Sequence, residues 1–368
     1  MAKTSFIPSP ARIKVMGLGG GGCNAITRMV QEEIRGVDFI GVNTDAQALL
    51  LTQAPTRIQI GEKLTRGLGV GGDHVLGQKA AEQSREELRD AIAGADMVFL
   101  TAGMGGGTGT GTAPIVAELA KQAGALTIAV VTKPFSFEGT HRRTVAEDGI
   151  SQLLGKVDTL VTIPNDRLLL LCNQKTSVDS AFRMADDVLR HAVQAIAEVI
   201  TLPGLINLDF ADVKAVMKDA GPAWMSIGTG SGKTRATDAA NEALASPLLD
   251  VNVEGARGVL FNVTGGSSLT LFEVNEAAQV IGKAVDPDAN IIFGVVFDPK
   301  MDDQVQITLI ATGFVSASGP RIRKDEELRR LLEGTDTEHE LDVPTFLRQR
   351  RPKEMPITTR KPQPSRVH

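Results

Sequence analysis

A run of glycines and threonines at residues 102–111, reading Ala-Gly-Met-Gly-Gly-Gly-Thr-Gly-Thr-Gly, has the composition of a phosphate-binding loop. Residues 96–101 before it predict a buried strand, and residues 113–123 after it have helical composition. Glycines let a phosphate approach the backbone, and the N–H groups at a helix start attract anions. Thr108 and Thr110 add hydroxyls for phosphate oxygens or for capping the helix. This setting favours a phosphate loop over a flexible linker, because linkers are seldom flanked by a strand and a helix.

Two more glycine-rich loops follow predicted strands in the first half of the chain. Residues 17–22 contain the G-x-G-x-x-G spacing between a strand at 12–16 and a helix at 24–33, and residues 65–72 follow a third strand. The first loop alone also fits a dinucleotide-dependent oxidoreductase, in which Asp45 would bind a ribose. A dinucleotide fold needs one such loop, whereas three loops at one edge of a sheet predict a cradle for a triphosphate.

Strands and helices alternate in the first half of the chain, and this pattern predicts a mostly parallel α/β sheet with helices on both faces. One of these helices is a polar helix expected at 73–93. The longest helical pattern, residues 177–200, has apolar residues three and four apart and is long enough to cross a domain. Beyond it, three strands share one helix, which predicts a second, α+β domain. The strands are expected at 258–264, 291–297 and 305–311 and the helix at 271–284.

The composition of the chain argues against nucleic-acid-binding, metal-binding and membrane-spanning classes of protein. The formal charge of −5 and the 4% of aromatic residues, with no tyrosine, give no support for nucleic-acid binding. Two cysteines, Cys23 and Cys172, suggest a reducing compartment, and the five scattered histidines show no metal-ligand spacing, so no metal-binding residues are predicted. No stretch has the pattern of a signal peptide or of a transmembrane segment, from which we expect a cytoplasmic protein.

Four charged side chains have an ordinary structural interpretation when the pattern alone is considered. Glu138 and Arg142 are spaced as an i,i+4 ion pair on a helix surface. Asp209 and Asp212 are spaced as a cap and a dipole partner at the start of a helix.

The segment 228–234, Gly-Thr-Gly-Ser-Gly-Lys-Thr, looks like a Walker phosphate loop. It lacks the four-residue spacing between the two glycines of that motif, so we expect a turn before a helix at 235–245.

After residue 313 the apolar pattern fades into a charged segment that we expect to be disordered. An apolar island within residues 341–350 is typical of a partner-binding motif, and a chance cluster is the alternative. From Arg348 onward seven basic residues face one acidic residue, an excess of six (seven minus one). This end of the chain is a candidate for contact with acidic lipid or an acidic partner, with a merely solubilising tail as the alternative.

Three motifs in order give a specific resemblance to a known family: Asn43-Thr-Asp-Ala-Gln-Ala-Leu49, Gly103-Met-Gly-Gly-Gly-Thr-Gly-Thr-Gly111 and Asn207-Leu-Asp-Phe-Ala-Asp-Val213. The chain resembles the FtsZ family, the bacterial cell-division GTPases of the tubulin superfamily, over residues 12–314 and the apolar island. The implied organisation is a flexible N-terminus at 1–11, a GTP-binding domain at 12–176, a central helix at 177–200, a second α+β domain at 201–315 with a catalytic loop at 203–213, a linker at 316–340, a partner-binding peptide at 341–350 and a basic tail at 351–368.

The resemblance also implies a nucleotide site. It places Glu138 and Arg142 at the sugar and phosphates, Asn165 and Asp186 at the guanine, and Phe182 against the base. Bound GTP or GDP would carry Mg²⁺ through its phosphates, with K⁺ as a candidate further ion. The implied nucleotide contacts are Gly19, Gly20, Gly21, Gly22, Cys23, Asn24, Asn43, Gly71, Gly72, Ala102, Gly103, Met104, Gly105, Gly106, Gly107, Thr108, Gly109, Glu138, Arg142, Asn165, Phe182 and Asp186.

In the family that the chain resembles, Asn207, Asp209 and Asp212 enter the nucleotide site of the next subunit, so hydrolysis of GTP requires a head-to-tail homopolymer. The resemblance implies a cytokinetic ring at mid-cell on the inner face of the membrane, reached through anchoring and regulatory partners of residues 341–350. A nonhydrolysing tubulin-like filament or nucleotide sensor is the alternative, besides the oxidoreductase. Cys23 and Cys172 are each expected to be small buried residues rather than nucleophiles. The position of Cys23 in a loop where small residues are common indicates sensitivity to thiol reagents as the alternative.

Overall fold

The computed structural model describes residues 11–172, 175–201, 209–246, 253 and 255–314. Within them, ten strands form one sheet in the order β3-β2-β1-β4-β5-β6-β7-β10-β8-β9. The strands are β1 (Ile13–Leu18), β2 (Val37–Asn43), β3 (Thr56–Gln59), β4 (Met97–Gly103), β5 (Leu126–Lys133), β6 (Thr159–Pro164), β7 (Gly221–Ser231), β8 (Gly258–Gly265), β9 (Asn290–Phe297) and β10 (Gln304–Thr312). The helices are α1 (Gly19–Gln31), α2 (Ala46–Leu51), α3 (Glu62–Thr65), α4 (His74–Gln83), α5 (Arg85–Ile92), α6 (Thr108–Gln122), α7 (Thr140–Leu154), α8 (Asn165–Leu168), α9 (Val178–Thr201), α10 (Phe210–Met217), α11 (Arg235–Leu244) and α12 (Leu271–Ala284).

The strands β1 to β6 are parallel, with helices between them, and this confirms the predicted α/β class. The register places Leu18 of β1 level with Val42 of β2 and with Ala102 of β4. The loops that follow these three strands therefore leave the sheet side by side at its carboxyl edge.

Alternate residues of each central strand enter two cores on opposite faces of the sheet. On one face Ile13 and Val15 pack with Ile26 of α1 and with α9. On the other face Met16 and Leu18 pack with the helices α4 to α7. A strand buried on both faces is apolar along its whole length, and for this reason the sequence pattern predicts these strands well.

β7 joins the two halves of the chain within the sheet. Its first three residues pair in parallel with β6, from Thr159↔Gly221 to Val161↔Ala223. Its remaining residues pair antiparallel with β10, which pairs antiparallel with β8, and β8 pairs in parallel with β9. The helices α11 and α12 pack with these strands in a third core, so the second half has the predicted α+β character.

The sequence pattern does not predict β7, and the expected turn at 228–234 is wrong at its start, because residues 228–231 belong to this strand. The glycines that suggest a turn are required by packing. A Cβ at Gly228 would lie 2.1 Å from the carbonyl oxygen of Ala239, and one at Gly230 would lie 2.0 Å from that of Arg235. β7 thus uses glycine so that the backbone of α11 can approach it closely.

Three predicted helices also have different bounds in the structure. α1 begins at Gly19, five residues before the expected start at 24. The expected helix at 73–93 is divided into α4 and α5 at Ser84, whose hydroxyl accepts a hydrogen bond from the N–H of Gly61. α6 begins at Thr108, inside the glycine loop and five residues before the expected start at 113. Asn207 and the predicted linker, peptide and basic tail lie outside the described residues. No helix among those described is long and apolar enough to cross a membrane.

Candidate functional site

The loops at the carboxyl edge of the parallel strands surround one cavity of about 620 Å³. Residues that follow each of the strands β1 to β6, together with the first half of α9, contribute to its lining. Ligands of open α/β sheets bind at this edge. All three predicted glycine loops take part in the lining, so they converge here as their positions after the strands predict.

Two helix N-termini meet at this cavity because β1 and β4 are neighbours in the sheet. α1 begins at Gly19, directly after β1, and α6 begins at Thr108, shortly after β4. The helices have 13 and 15 residues, so each presents unpaired N–H groups and the positive end of its dipole at its first turn. This arrangement suits an anion with several oxygens, such as a polyphosphate.

The glycines of the loops fall into two groups according to what a side chain would contact. A Cβ at Gly20 or Gly106 would meet no described atom within 4 Å, and both residues line the cavity. A Cβ at Gly107 would lie 2.4 Å from Val70, and one at Gly19 would lie 2.7 Å from the backbone nitrogen of Gly109. Gly20 and Gly106 thus leave space against the backbone that a phosphate chain could occupy. Gly107 and Gly19 allow the loops to pack together.

All but five of the implied nucleotide contacts line the cavity. Those in the lining are Gly20, Gly21, Asn24, Asn43, Gly71, Gly72, Gly103, Met104, Gly106, Gly107, Thr108, Gly109, Glu138, Arg142, Asn165, Phe182 and Asp186. Those outside it are Gly19, Gly22, Cys23, Ala102 and Gly105. The five lie behind the lining, where, for example, a Cβ at Gly22 would stand 2.3 Å from the carbonyl oxygen of Thr101.

The structure contradicts the prediction that Cys23 makes the first loop sensitive to thiol reagents. The side chain is 2% exposed, and its Sγ donates weak hydrogen bonds to the carbonyl oxygens of Gly17 and Val42. Burial raises the pKa of the Cys23 thiol to about 11. Because the thiolate is the reactive form, Cys23 is an inert packing residue at neutral pH.

The threonines of the central loop hold the loop itself in place. The hydroxyl of Thr108 shares a hydrogen bond of 2.7 Å with the hydroxyl of Thr44, and Thr108 lines the cavity. The hydroxyl of Thr110 accepts a hydrogen bond of 2.9 Å from the N–H of Gly105, and Thr110 lies outside the lining. The expectation that a threonine side chain caps α6 is wrong, since α6 has no side-chain cap and the hydroxyl of Thr110 stabilises the turn before the helix.

Glu138 and Arg142 form the expected ion pair and also line the cavity. Arg142 Nη1 lies 2.5 Å from Glu138 Oε2, while Glu138 Oε1 accepts a hydrogen bond from the N–H of Phe135. Glu138 belongs to a short 3₁₀ turn before α7, so the pair links that turn to the helix. The carboxylate is 10% exposed and the guanidinium side chain 56%, which leaves Arg142 accessible to an anionic ligand.

Among the described residues, another part of the lining contains an unpaired amide oxygen and a partly exposed aromatic ring. Asn165 is 5% exposed, and its amide oxygen has no hydrogen-bond partner in the described part of the chain. Such a buried, unpaired acceptor calls for a donor from a ligand. Phe182, which is 40% exposed, rests edge-on against Phe135 with ring centroids 5.4 Å apart. These two residues fit a planar heterocycle that carries N–H groups.

Asp186 adds a carboxylate to this part of the cavity. Burial raises the pKa of its carboxyl group to about 6, and the hydrogen bond from Arg28 opposes this rise. Arg28 Nε of α1 lies 3.2 Å from Asp186 Oδ2. At neutral pH the carboxyl group of Asp186 is therefore mostly ionised and can accept hydrogen bonds from a ligand.

Asp209 and Asp212 are exposed and do not line the cavity. Asp209 is the N-cap of α10, and its Oδ1 accepts a hydrogen bond of 3.0 Å from the N–H of Asp212. The cap interpretation is thus confirmed for Asp209. The structure does not bring either carboxylate to the phosphate loops of its own chain.

Ten further lining residues are not among the nucleotide contacts that the resemblance implies. Asp45 is one of them, and it also caps α2 by accepting hydrogen bonds from the N–H groups of Gln47 and Ala48. The ten residues share a position that the sequence could have indicated. Each lies at or after the carboxyl end of a parallel strand, or on the face of α9 that is turned to those ends. The ten are Leu18, Asp45, Ala48, Leu68, Gly69, Val70, Thr132, Pro134, Ala185 and Leu189.

The fold and the cavity define a tubulin-like nucleotide-binding protein. Residues 12–173 match the GTPase domain of the Tubulin/FtsZ family, and residues 221–315 match the C-terminal domain of the FtsZ family. The chain is similar to the empty FtsZ dimer of M. jannaschii, with 48% identity, a TM-score of 0.81, and coverage of 84% of this chain and 90% of that one. The chain belongs to the FtsZ family.

A more distant structure shares the fold. CetZ1 from Haloferax volcanii, as a GDP-bound monomer, matches with 20% identity and a TM-score of 0.71 over 88% of this chain and 99% of that one. At this identity the likeness concerns the fold alone. The match to the FtsZ family favours the GTPase interpretation over the oxidoreductase.

Proposed function

We propose that this protein binds and hydrolyses GTP, polymerises head to tail, and forms the cytokinetic ring at the division site. Membership of the FtsZ family and the cavity at the carboxyl edge of the sheet support the nucleotide part of this proposal. The M. jannaschii relative is described as a dimer, which supports self-association.

In this proposal GTP lies with its phosphates on the first turns of α1 and α6 and its base beside α9. Arg142 contacts the phosphates or the sugar. The carboxylate of Asp186 accepts the N–H donors of guanine, the amide of Asn165 contributes a further hydrogen bond, and Phe182 packs on the ring. Mg²⁺ bound through the phosphates would neutralise the charge that develops during phosphoryl transfer, and K⁺ is proposed as a further ion.

One observation carries the proposal that hydrolysis occurs between subunits. The carboxylate pair Asp209 and Asp212 is exposed at the surface, whereas the phosphate loops lie in a cavity that neither residue lines. A second copy of the chain can bring its own pair to the γ-phosphate. Phosphoryl transfer depends mainly on positioning and on charge stabilisation, so carboxylates that orient a water molecule in line with the γ-phosphate complete the site.

The surface near the cavity suits a docked copy. Leu68, a lining residue, is 81% exposed, and Phe137, beside Glu138, is 60% exposed. Leu170, which follows the α8 segment that begins at Asn165, is 65% exposed. Exposed apolar side chains around a polar cavity are typical of a protein–protein interface.

The experiment that tests the proposal is phosphate release from GTP across a range of protein concentrations in Mg²⁺ and K⁺ buffer, with ATP as the control nucleotide. A shared site predicts negligible release below a threshold concentration and a linear rise above it, with GTP preferred. A rate per molecule that stays constant on dilution would show that the site is complete within one chain.

Asp212→Ala is expected to bind GTP as the unaltered protein does and to lose most hydrolysis above the threshold. The reason is that the substitution removes a carboxylate placed at the γ-phosphate of the neighbouring subunit, without touching the cavity of its own chain. Asp288→Ala removes an exposed carboxylate elsewhere and serves as the matched control. Normal turnover by Asp212→Ala would require the roles of Asp209, Asp212 and Asn207 to be withdrawn.

We also propose that residues 341–350 bind membrane-anchoring and regulatory partners and that the basic tail at 351–368 contacts acidic lipid. Both segments lie outside the described residues. Deletion of 351–368 should abolish sedimentation of the protein with vesicles that contain phosphatidylserine and leave phosphate release unchanged. Sedimentation that persists after the deletion would contradict the lipid contact.

A further inference from the structure

The last turn of α10 is held from both halves of the protein. Thr159, the first residue of β6, donates a hydrogen bond of 2.5 Å from its hydroxyl to the carbonyl oxygen of Met217. The hydroxyl of Thr312, the last residue of β10, lies 3.3 Å from the carbonyl oxygen of Val216 and 3.2 Å from that of Gly258, so its one proton is shared between these two acceptors. Both threonines are almost fully buried, at 0% and 1% exposure. The carbonyls at the end of a helix have no partner within it, so these hydroxyls satisfy groups that would otherwise be unpaired.

Close packing reinforces the two hydrogen bonds. Val213 and Met217 are fully buried in the core that α10 shares with α1, α9 and both halves of the sheet. A Cβ at Gly258 of β8 would lie 3.0 Å from the side chain of Val216, so the helix rests directly on the backbone of that strand. The last turn of α10 therefore has little freedom to move relative to either half.

The segment that leaves α10 is fixed as well. Lys121 lies 3.1 Å from the carboxylate of Asp219 and 3.4 Å from that of Asp158. The N–H of Gly221 then bonds to the carbonyl oxygen of Asp158, which starts the pairing of β7 with β6. Asp209 and Asp212, at the opposite end of the helix, are exposed to solvent.

We propose that Thr159 and Thr312 are positioning residues for the carboxylates of Asp209 and Asp212, a role that rests on the proposed function of that pair. Their hydroxyls fix the last turn of a short, stiff helix, and the orientation of that turn determines where the first turn presents its carboxylates. A helix of eight residues is about 12 Å long, so a small rotation at one end displaces the other by an ångström or more. Such a displacement is enough to slow phosphoryl transfer strongly without affecting the cavity.

The experiment compares Thr159→Val, which removes the hydroxyl at nearly constant volume, with Thr159→Ser, which keeps it. Turnover per assembled subunit should fall about tenfold in Thr159→Val and recover most of its value in Thr159→Ser. GDP affinity measured below the assembly threshold should stay within about twofold of the unaltered protein. Thr127→Val is the matched control, because the hydroxyl of Thr127 is also buried but donates to the carbonyl oxygen of Ala125. It should leave turnover unchanged.

A double variant separates positioning from general destabilisation. Adding Thr159→Val to Asp212→Ala should cause no further loss of turnover, because the threonine acts through the carboxylate that is already absent. Turnover in Thr159→Val equal to that of the unaltered protein would overturn the proposal, and so would an equal loss in Thr127→Val. If Thr159→Val does not fold, Thr312→Val and Thr312→Ser test the same role from the other sheet half. Normal turnover in Asp212→Ala would instead refute the proposed function itself.

Discussion

Replacing Gly106 by alanine tests the phosphate cradle while leaving the fold in place. A Cβ at this position would meet no described atom within 4 Å, so the added methyl group fits the protein. Gly106 lines the cavity, and under the proposed function the methyl group would occupy space that a phosphate needs beside the backbone N–H groups. Losing one charge-assisted hydrogen bond costs about 1.5–3 kcal/mol. Nucleotide affinity should therefore fall about 10- to 150-fold.

The assay is calorimetric titration with GDP below the assembly threshold, paired with thermal unfolding in the absence of nucleotide. Gly155→Ala is the control, because a Cβ there would also meet no described atom, the backbone φ of −79° is ordinary, and the residue does not line the cavity. Gly107→Ala gives the contrast, since its Cβ would lie 2.4 Å from Val70 and should lower the unfolding temperature too. The reasoning is refuted if Gly106→Ala binds GDP as tightly as Gly155→Ala does.

Two further predictions concern ionisable groups. GTP affinity should fall about tenfold between pH 7 and pH 5, because the pKa of Asp186 is raised to about 6 and protonation removes the acceptor for guanine. The Asp186→Asn variant serves as the control for titration of the nucleotide phosphates. If the affinity of both proteins changes with pH in the same way, the assignment of Asp186 is contradicted. Arg235→Met should lower the free energy of unfolding by about 3 kcal/mol in urea titrations, because Arg235 is 6% exposed and its Nε lies 2.7 Å from Glu273 Oε1. Arg235 lowers the pKa of Glu273 to about 2, so the stability that the pair contributes is present above pH 4.5 and is lost as the pH falls towards 2. If the difference in free energy of unfolding between Arg235→Met and the unaltered protein does not depend on pH, the pair does not contribute as stated.

Much of the fold follows from local signals in the sequence. The strands of the first half are buried on both faces, so each is an uninterrupted apolar segment, and the glycine loops mark where β1 and β4 end. Parallel strands place their loops at one edge, which is enough to predict the cavity and its phosphate end. α9 is also evident, because one face of this 24-residue helix is apolar along its length.

The features that the sequence did not reveal depend on contacts between distant segments. β7 contains a proline and three glycines, which are strand breakers unless a helix backbone lies against them, as α11 does here. The pairing of Arg28 with Asp186 joins residues 158 positions apart, and no local periodicity reports such a pair. The cap at Asp209 was predictable from the residue type, whereas the proposed role of its carboxylate in another subunit comes only from the resemblance that residues 207–213 carry.

The two ends of β6 relate the cavity to the carboxylate pair in the proposed polar filament. Asn165, directly after β6, lines the cavity at the carboxyl edge of the sheet, and Thr159, at the start of β6, holds the last turn of α10. A strand of six residues spans about 20 Å, whereas a helix of eight residues spans only about 12 Å. Neither Asp209 nor Asp212 lines the cavity of its own chain. In the proposed head-to-tail polymer a second copy would bring its Asp209 and Asp212 to the carboxyl edge of the next sheet, and such a heterologous contact repeats in one direction.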